Sequence, residues 1–112
     1  MKLPENVKVP KDKLLQYLLL PREENDKSEF LKLAEYSLSN WEILQEDLRK
    51  LVKQNDVTET ERSPYGTKYE VRGKITGPNG KVLRVVSIWI ELKATGEIRF
   101  VTLFPDSEVK EQ

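Results

Sequence analysis

Tyr65, Lys68, Glu70 and Arg72 lie within eight positions of one another and are the side chains best suited to chemistry in this sequence. Cleavage of RNA to a cyclic phosphate needs a base for the 2′-hydroxyl, cations for the charge that grows on phosphorus, and an acid for the leaving oxygen. Glu70 is of the type to act as that base. Arg72 and Lys68 would hold the phosphate, with Arg99 further off at a strand end, and Tyr65 or Lys68 would donate the proton. Trp89 offers a ring on which a base stacks. Together with Ser87, Thr102 and Arg99 it makes the expected surface for a substrate or a partner.

Composition weighs against catalysis. The chain has no His and no Cys, which removes the usual general base at neutral pH, the commonest metal ligand and any thiolate nucleophile. Tyr or Lys acids work near pH 7 only with large pKa shifts. Lys and Arg number 19 against 19 Asp and Glu, so no overall basic field gathers nucleic acid. There is no Walker loop, dinucleotide fingerprint, G-x-S-x-G or calcium loop, and neither a metal nor a cofactor is expected. A non-catalytic module that recognises a protein needs only a surface. It is the preferred reading, with a metal-independent ribonuclease as the alternative, and whether the chain is an enzyme stays open.

The elements that position these residues are legible from periodicity. Leu14, Leu15, Tyr17, Leu18 and Leu19 form a helical stripe that Pro10 opens and Pro21 stops. After a polar connector over 22–25, Asp26 and Glu29 resemble a capping box before Phe30, Leu31, Leu33 and Ala34. Ser39 and Glu42 precede a third helical run through Ile43, Leu44, Leu48, Leu51 and Val52. Beyond Asn55-Asp56 the period becomes two. Strands are predicted over 57–62, 67–76, 82–92 and 98–104, with turns at Gly77-Pro78-Asn79-Gly80 and Thr95-Gly96.

This predicts an α+β fold in which about three N-terminal helices pack on one face of a three- to four-stranded antiparallel meander. A single domain over 1–112 is expected, with a helical half at 10–54, a β-meander at 57–105 and a polar tail at 106–112. Pairing Thr76 with Lys81 and Ala94 with Glu97 puts Tyr69, Val71, Ile75, Val82, Val86, Ile88, Ile90, Val101 and Leu103 against the helices. The opposite face then carries Lys68, Glu70, Arg72, Ser87, Trp89, Glu91, Phe100, Thr102 and Phe104. Tyr17-Leu18-Leu19-Leu20 is far short of a membrane span, and a cytoplasmic protein with no membrane contact is expected.

The run Pro64-Tyr65-Gly66-Thr67-Lys68-Tyr69-Glu70-Val71, followed by Ile75 to Gly80, Trp89 and Arg99 to Pro105, resembles an uncharacterised bacterial domain family. Its members are small free-standing proteins or C-terminal modules of filamentous-haemagglutinin-like and contact-dependent-inhibition toxins. The resemblance reaches from Leu14 onward, more loosely through Lys27 to Phe30 and Trp41 to Leu48. It implies a toxin–antidote setting with a cognate protein partner, or with RNA under the alternative. It also implies a fold similar to barnase/RelE-like ribonucleases, which work on the sheet face away from the helices.

Overall fold

The computed structural model describes residues 1–21 and 27–106. The first helix, α1 (Lys11–Lys13), begins after Pro10 and widens into π-helical turns over Leu14–Leu18. Next come α2 (Ser28–Lys32), a 3₁₀ turn (Leu38–Asn40) and α3 (Trp41–Gln54). Four strands follow: β1 (Val57–Ser63), β2 (Gly66–Thr76), β3 (Val82–Leu92) and β4 (Ile98–Pro105). They form one antiparallel sheet in the order β1-β2-β3-β4.

The α+β class and the meander agree with the expectation; the expected three helices do not. Two stretches are substantial helices, Lys11 to Leu18 and α3, whereas α2 is little more than one turn. Leu31 and Ala34 reach the core, but Leu33 is exposed, so too little of that segment's stripe is buried to sustain a longer helix. Asp26, the expected cap of this helix, lies outside the described residues, as do the connector 22–25 and the tail beyond 106. Capping ahead of α3 falls on Ser37 rather than Ser39: the Ser37 N–H donates to Asn40 Oδ1 at 2.7 Å, and a reciprocal box closes the 3₁₀ turn.

Leu44, Leu48, Leu51 and Val52 of α3 and Leu14, Leu18 and Leu31 of the shorter helices are fully buried. They meet Val71, Ile75, Val85, Trp89, Phe100 and Leu103 of the sheet in one core. The lead-in is part of this core. Leu3, Val7 and Val9 are buried, and between the last two Lys8 makes a parallel bridge to Arg99, with Lys8 N–H to Ile98 O and Phe100 N–H to Lys8 O each at 2.8 Å. That bridge covers part of the outer edge of β4. The outer edge of β1 has no strand beside it among the described residues.

The register differs from the one inferred from the turns. Thr76 pairs with Val82, and Gly77 N–H donates to Lys81 O at 3.0 Å. The loop is therefore Pro78-Asn79-Gly80, with Gly80 at φ +83° and Gly80 N–H bonded to Gly77 O at 2.9 Å. This is the three-residue hairpin that ends in a left-handed glycine, one residue tighter than the expected loop. One residue of slip turns every β3 side chain over. Leu83, Val85, Ser87 and Trp89 face the helices, whereas Val86, Ile88 and Ile90 share the open face with Lys68, Glu70 and Arg72. Leu92 pairs across the second hairpin with Glu97, through an N–H to O bond of 2.8 Å, and a bulge at Val101 of β4, opposite the Ile88–Trp89 step of β3, shifts the pairing of the two strands. As a result Ile98 and Phe100 join Leu103 in the core, and Val101 does not.

Candidate functional site

The open face is built by alternation on four strands. In register, Glu59 and Glu61 of β1 lie beside Glu70 and Lys68 of β2. Lys68, Glu70, Arg72 and Lys74 then lie beside Ile90, Ile88, Val86 and Arg84 of β3. Beyond these come Arg99, Thr102 and Phe104 of β4, opposite Ile90, Ile88 and Val86. The centre is therefore apolar, with Val86 buried, Ile88 and Ile90 half-buried and Phe104 exposed. Charges surround it: carboxylates on the β1 side and cations toward the Lys74–Arg84 end.

Glu70 and Arg72 are in contact. Arg72 Nε and Nη2 donate to Glu70 Oε2 and Oε1 at 3.3 and 3.4 Å, and Arg72 Nη1 donates to Asp106 Oδ1 at 2.8 Å. The bond to Glu70, more than that to Asp106, raises the Arg72 guanidinium above its ordinary value. Thr58 Oγ1 also donates to Glu70 Oε2 at 2.8 Å. Glu70 is thus engaged from two sides, and its register partner across the β1–β2 ladder is another carboxylate, Glu59. Lys68 is exposed next to Glu61, and the two share a shallow depression with Glu59, Glu70, Arg72 and Ile88.

Other expected site residues are elsewhere. Trp89 is 0% exposed, on the helix-facing side, packed edge-on to Phe100 with ring centroids 5.2 Å apart. Ser87 is equally buried: its Oγ donates to Val71 O at 2.8 Å and accepts from Trp89 Nε1 at 2.9 Å. Neither can touch a ligand on the open face. Glu91, expected on that face, receives the Tyr69 hydroxyl on the helix side at 2.6 Å, a bond that raises the Tyr69 pKa. Thr102 keeps its place but is engaged by Lys27 Nζ at 3.0 Å and lies 3.3 Å from the Tyr17 hydroxyl. Arg99 is exposed at the far end of β4 and pairs with Glu97. Tyr65 is 80% exposed at the β1–β2 turn, three residues before Lys68, and is not brought to Glu70 by any contact among the described residues.

Sequence reasoning missed Ile88, Ile90, Lys74, Arg84 and Asp106 on this face. The signal for Asp106 was slight, because it follows Pro105 and reads as the start of a polar tail. Arg84 alternates with Val82 and Val86, which the expected register puts against the helices, so its charge is evidence for the other register.

The sheet and the helices on one side of it define an α+β protein whose other sheet face is open among the described residues. The chain belongs to a family described as a domain of unknown function (DUF6883), which matches residues 2–107. No curated protein matches it. Among solved structures it is similar to a chain of a contact-dependent growth inhibition toxin–immunity protein complex from Klebsiella pneumoniae 342. The two share 21% identity at a TM-score of 0.64, over 91% of this chain and 95% of that one. At that identity the likeness is one of fold. No helix among the described residues is long and apolar enough to cross a membrane.

Proposed function

We propose that this domain is a protein-binding module of a toxin–antidote type system, and that its partner docks on the open face of the sheet. The observation that carries this reading is the apolar stripe of half-buried Ile88 and Ile90 and exposed Phe104, lying beside buried Val86 on a sheet face turned away from the helices among the described residues and ringed by ionic side chains. An apolar centre with a polar rim is the anatomy of a protein interface. Glu59 and Glu61, which form no ion pair among the described residues, give the β1 side of this face a negative rim that a partner's Lys or Arg would meet. The free edge of β1 lies alongside and would extend the contact. The fold shared with a chain of a toxin–immunity complex agrees with such a role.

The ribonuclease reading keeps one observation in its favour, the direct contact of Glu70 with Arg72 with Lys68 on the same face. It loses its stacking residue, since Trp89 is in the core. Its base already accepts hydrogen bonds from Thr58 and Arg72, which occupy most of the acceptor sites of the carboxylate.

One experiment separates the two readings. Wild type, a Glu59→Lys/Glu61→Lys variant, an Ile88→Glu variant and a Glu70→Ala/Arg72→Ala variant are each used to capture protein from extract of the source cell. Each is also incubated with total RNA in a metal chelator. The expected result is a discrete partner held by the wild type and lost from the first two variants, with RNA intact throughout. Capture that is indifferent to both face variants overturns the proposal. RNA cleavage by the wild type that the Glu70/Arg72 variant lacks would install the nuclease in its place.

A further inference from the structure

At the other end of the open face a second like-charge pair points to a different ligand. Lys74 and Arg84 are register partners across β2 and β3, and both are exposed. Two cations opposite each other weaken a sheet unless an anion lies between them. Among the described residues, no carboxylate forms an ion pair with either. Arg72 lies two positions along the same strand and face, but its charge is already shared between Glu70 and Asp106.

These cations line a depression of about 470 Å³ at the sheet end, closed on one side by Gln54 and Asn55 from the end of α3 and on another by Asp106. That volume falls in the range of small-ligand sites. The rim already holds one anionic group: Asp106 accepts from Arg72 Nη1 at 2.8 Å, while its own N–H donates to Arg84 O at 3.0 Å and ties the carboxylate to β3. What is left to neutralise is the Lys74–Arg84 pair. A carboxylate ligand would offset one of those charges. A phosphate monoester carries close to two negative charges at neutral pH and three acceptor oxygens, enough for the guanidinium fork and the ammonium together, and two successive phosphodiesters of a nucleic-acid backbone bring the same total at one charge each.

We propose that Lys74 and Arg84, with Arg72 beside them, form a phosphate-binding site for a phosphate ester, either a free one or the backbone of a single-stranded nucleic acid. This site shares Arg72 with the acid-rimmed surface of the protein-binding reading but none of that surface's carboxylates, and it does not depend on that reading.

Titration of the ¹⁵N-labelled domain at constant ionic strength tests the site. The probes are inorganic phosphate, pyrophosphate, a ten-nucleotide single-stranded RNA and, as a control, acetate. The expected result is saturable shifts of the amides around Arg72 to Lys74, Arg84 and Asp106 with the phosphorus-containing probes and not with acetate. A Lys74→Gln/Arg84→Gln variant should bind at least about tenfold more weakly, from the loss of charge-assisted bonds. Its melting temperature should be unchanged or higher, since the repulsion is gone, so weaker binding would not be confused with unfolding. RNA bound at least about tenfold more tightly than pyrophosphate identifies a polynucleotide backbone; equal or weaker binding identifies a free phosphate ester. Shifts that fail to saturate, that persist in the variant, or that acetate reproduces overturn the site. The Glu59→Lys/Glu61→Lys variant should bind phosphate as the wild type does, so failure of one proposal leaves the other standing.

Discussion

Ser87 is a small polar residue in an apolar layer, and its two hydrogen bonds account for it. Its hydroxyl gives its proton to Val71 O and takes that of Trp89 Nε1, so the indole N–H is satisfied in a place water does not reach. Ser87→Ala leaves that donor orphaned, which costs about 1–3 kcal/mol, whereas removing both polar partners together costs less than the sum. Urea unfolding of Ser87→Ala, Trp89→Phe and the double variant measures this. A coupling near zero would mean that the hydroxyl does not serve the indole. Because the pair is buried, none of these substitutions is expected to alter capture of a partner by material that remains folded. Glu70 is the contrasting case, a partly exposed carboxylate whose contacts with Thr58 and Arg72 are made at the surface.

The β2–β3 hairpin decides which side chains the open face displays. Two glycines hold it, for different reasons. Gly80 sits at φ +83° with open space around a notional Cβ, so Gly80→Ala costs about 1–2 kcal/mol from backbone conformation alone. Gly77 has no such angle, but a Cβ there would lie 2.0 Å from Ala34 O. The hairpin base is thus pressed against the chain leaving α2, and Asn79 Nδ2 adds a bond to Leu33 O at 3.1 Å. Gly77→Ala must push backbone away from backbone, and it is expected to cost more than Gly80→Ala, on the order of 3 kcal/mol. Chemical denaturation of the two variants checks the order; the reverse order would mean that the hairpin does not rest on α2.

Taken together, the residues carry no net charge, yet the open face separates its charges, with Glu59, Glu61 and Glu70 on one side and Arg72, Lys74 and Arg84 toward the other. Attraction of a cationic partner to the first side should therefore weaken with salt. Global stability should also fall at high pH. Burial above all, helped by a 2.6 Å hydrogen bond to Asp47, pushes the Tyr36 hydroxyl far above its ordinary value of 10.0. Its contribution is fully present below the unfolded-state pKa. It is lost as pH climbs from there toward the folded value, because the unfolded chain then releases a proton that the folded one keeps. Above about pH 10 that loss approaches roughly 1.4 kcal/mol per pH unit. Urea unfolding between pH 9 and 11 should show a shallower decline for Tyr36→Phe than for the wild type; equal slopes would refute the assignment.

Local signals sufficed for much of this architecture. Periods of 3.6 and 2 separated the helical half from the strands, Pro21 and the glycine turns ended the elements, and β2 had charged residues on one side only, so its buried face with Tyr69, Val71 and Ile75 was legible. Those same charges place Lys68, Glu70 and Arg72 on the open side. The lead-in could have been read further, since Val7 and Val9 flank Lys8 at strand spacing. β3 was different. Its residues are apolar on both faces, so alternation alone could not choose between Val86-Ile88-Ile90 and Leu83-Val85-Trp89 as the buried set. Tertiary packing made that choice. The loop closed in three residues on a left-handed Gly80, the core took the large indole with Ser87 to satisfy it, and the smaller aliphatic residues were left beside the charges. The meeting of Lys74 with Arg84, and of Glu59 with Glu70, follows from that pairing across strands, which no single stretch of the chain contains.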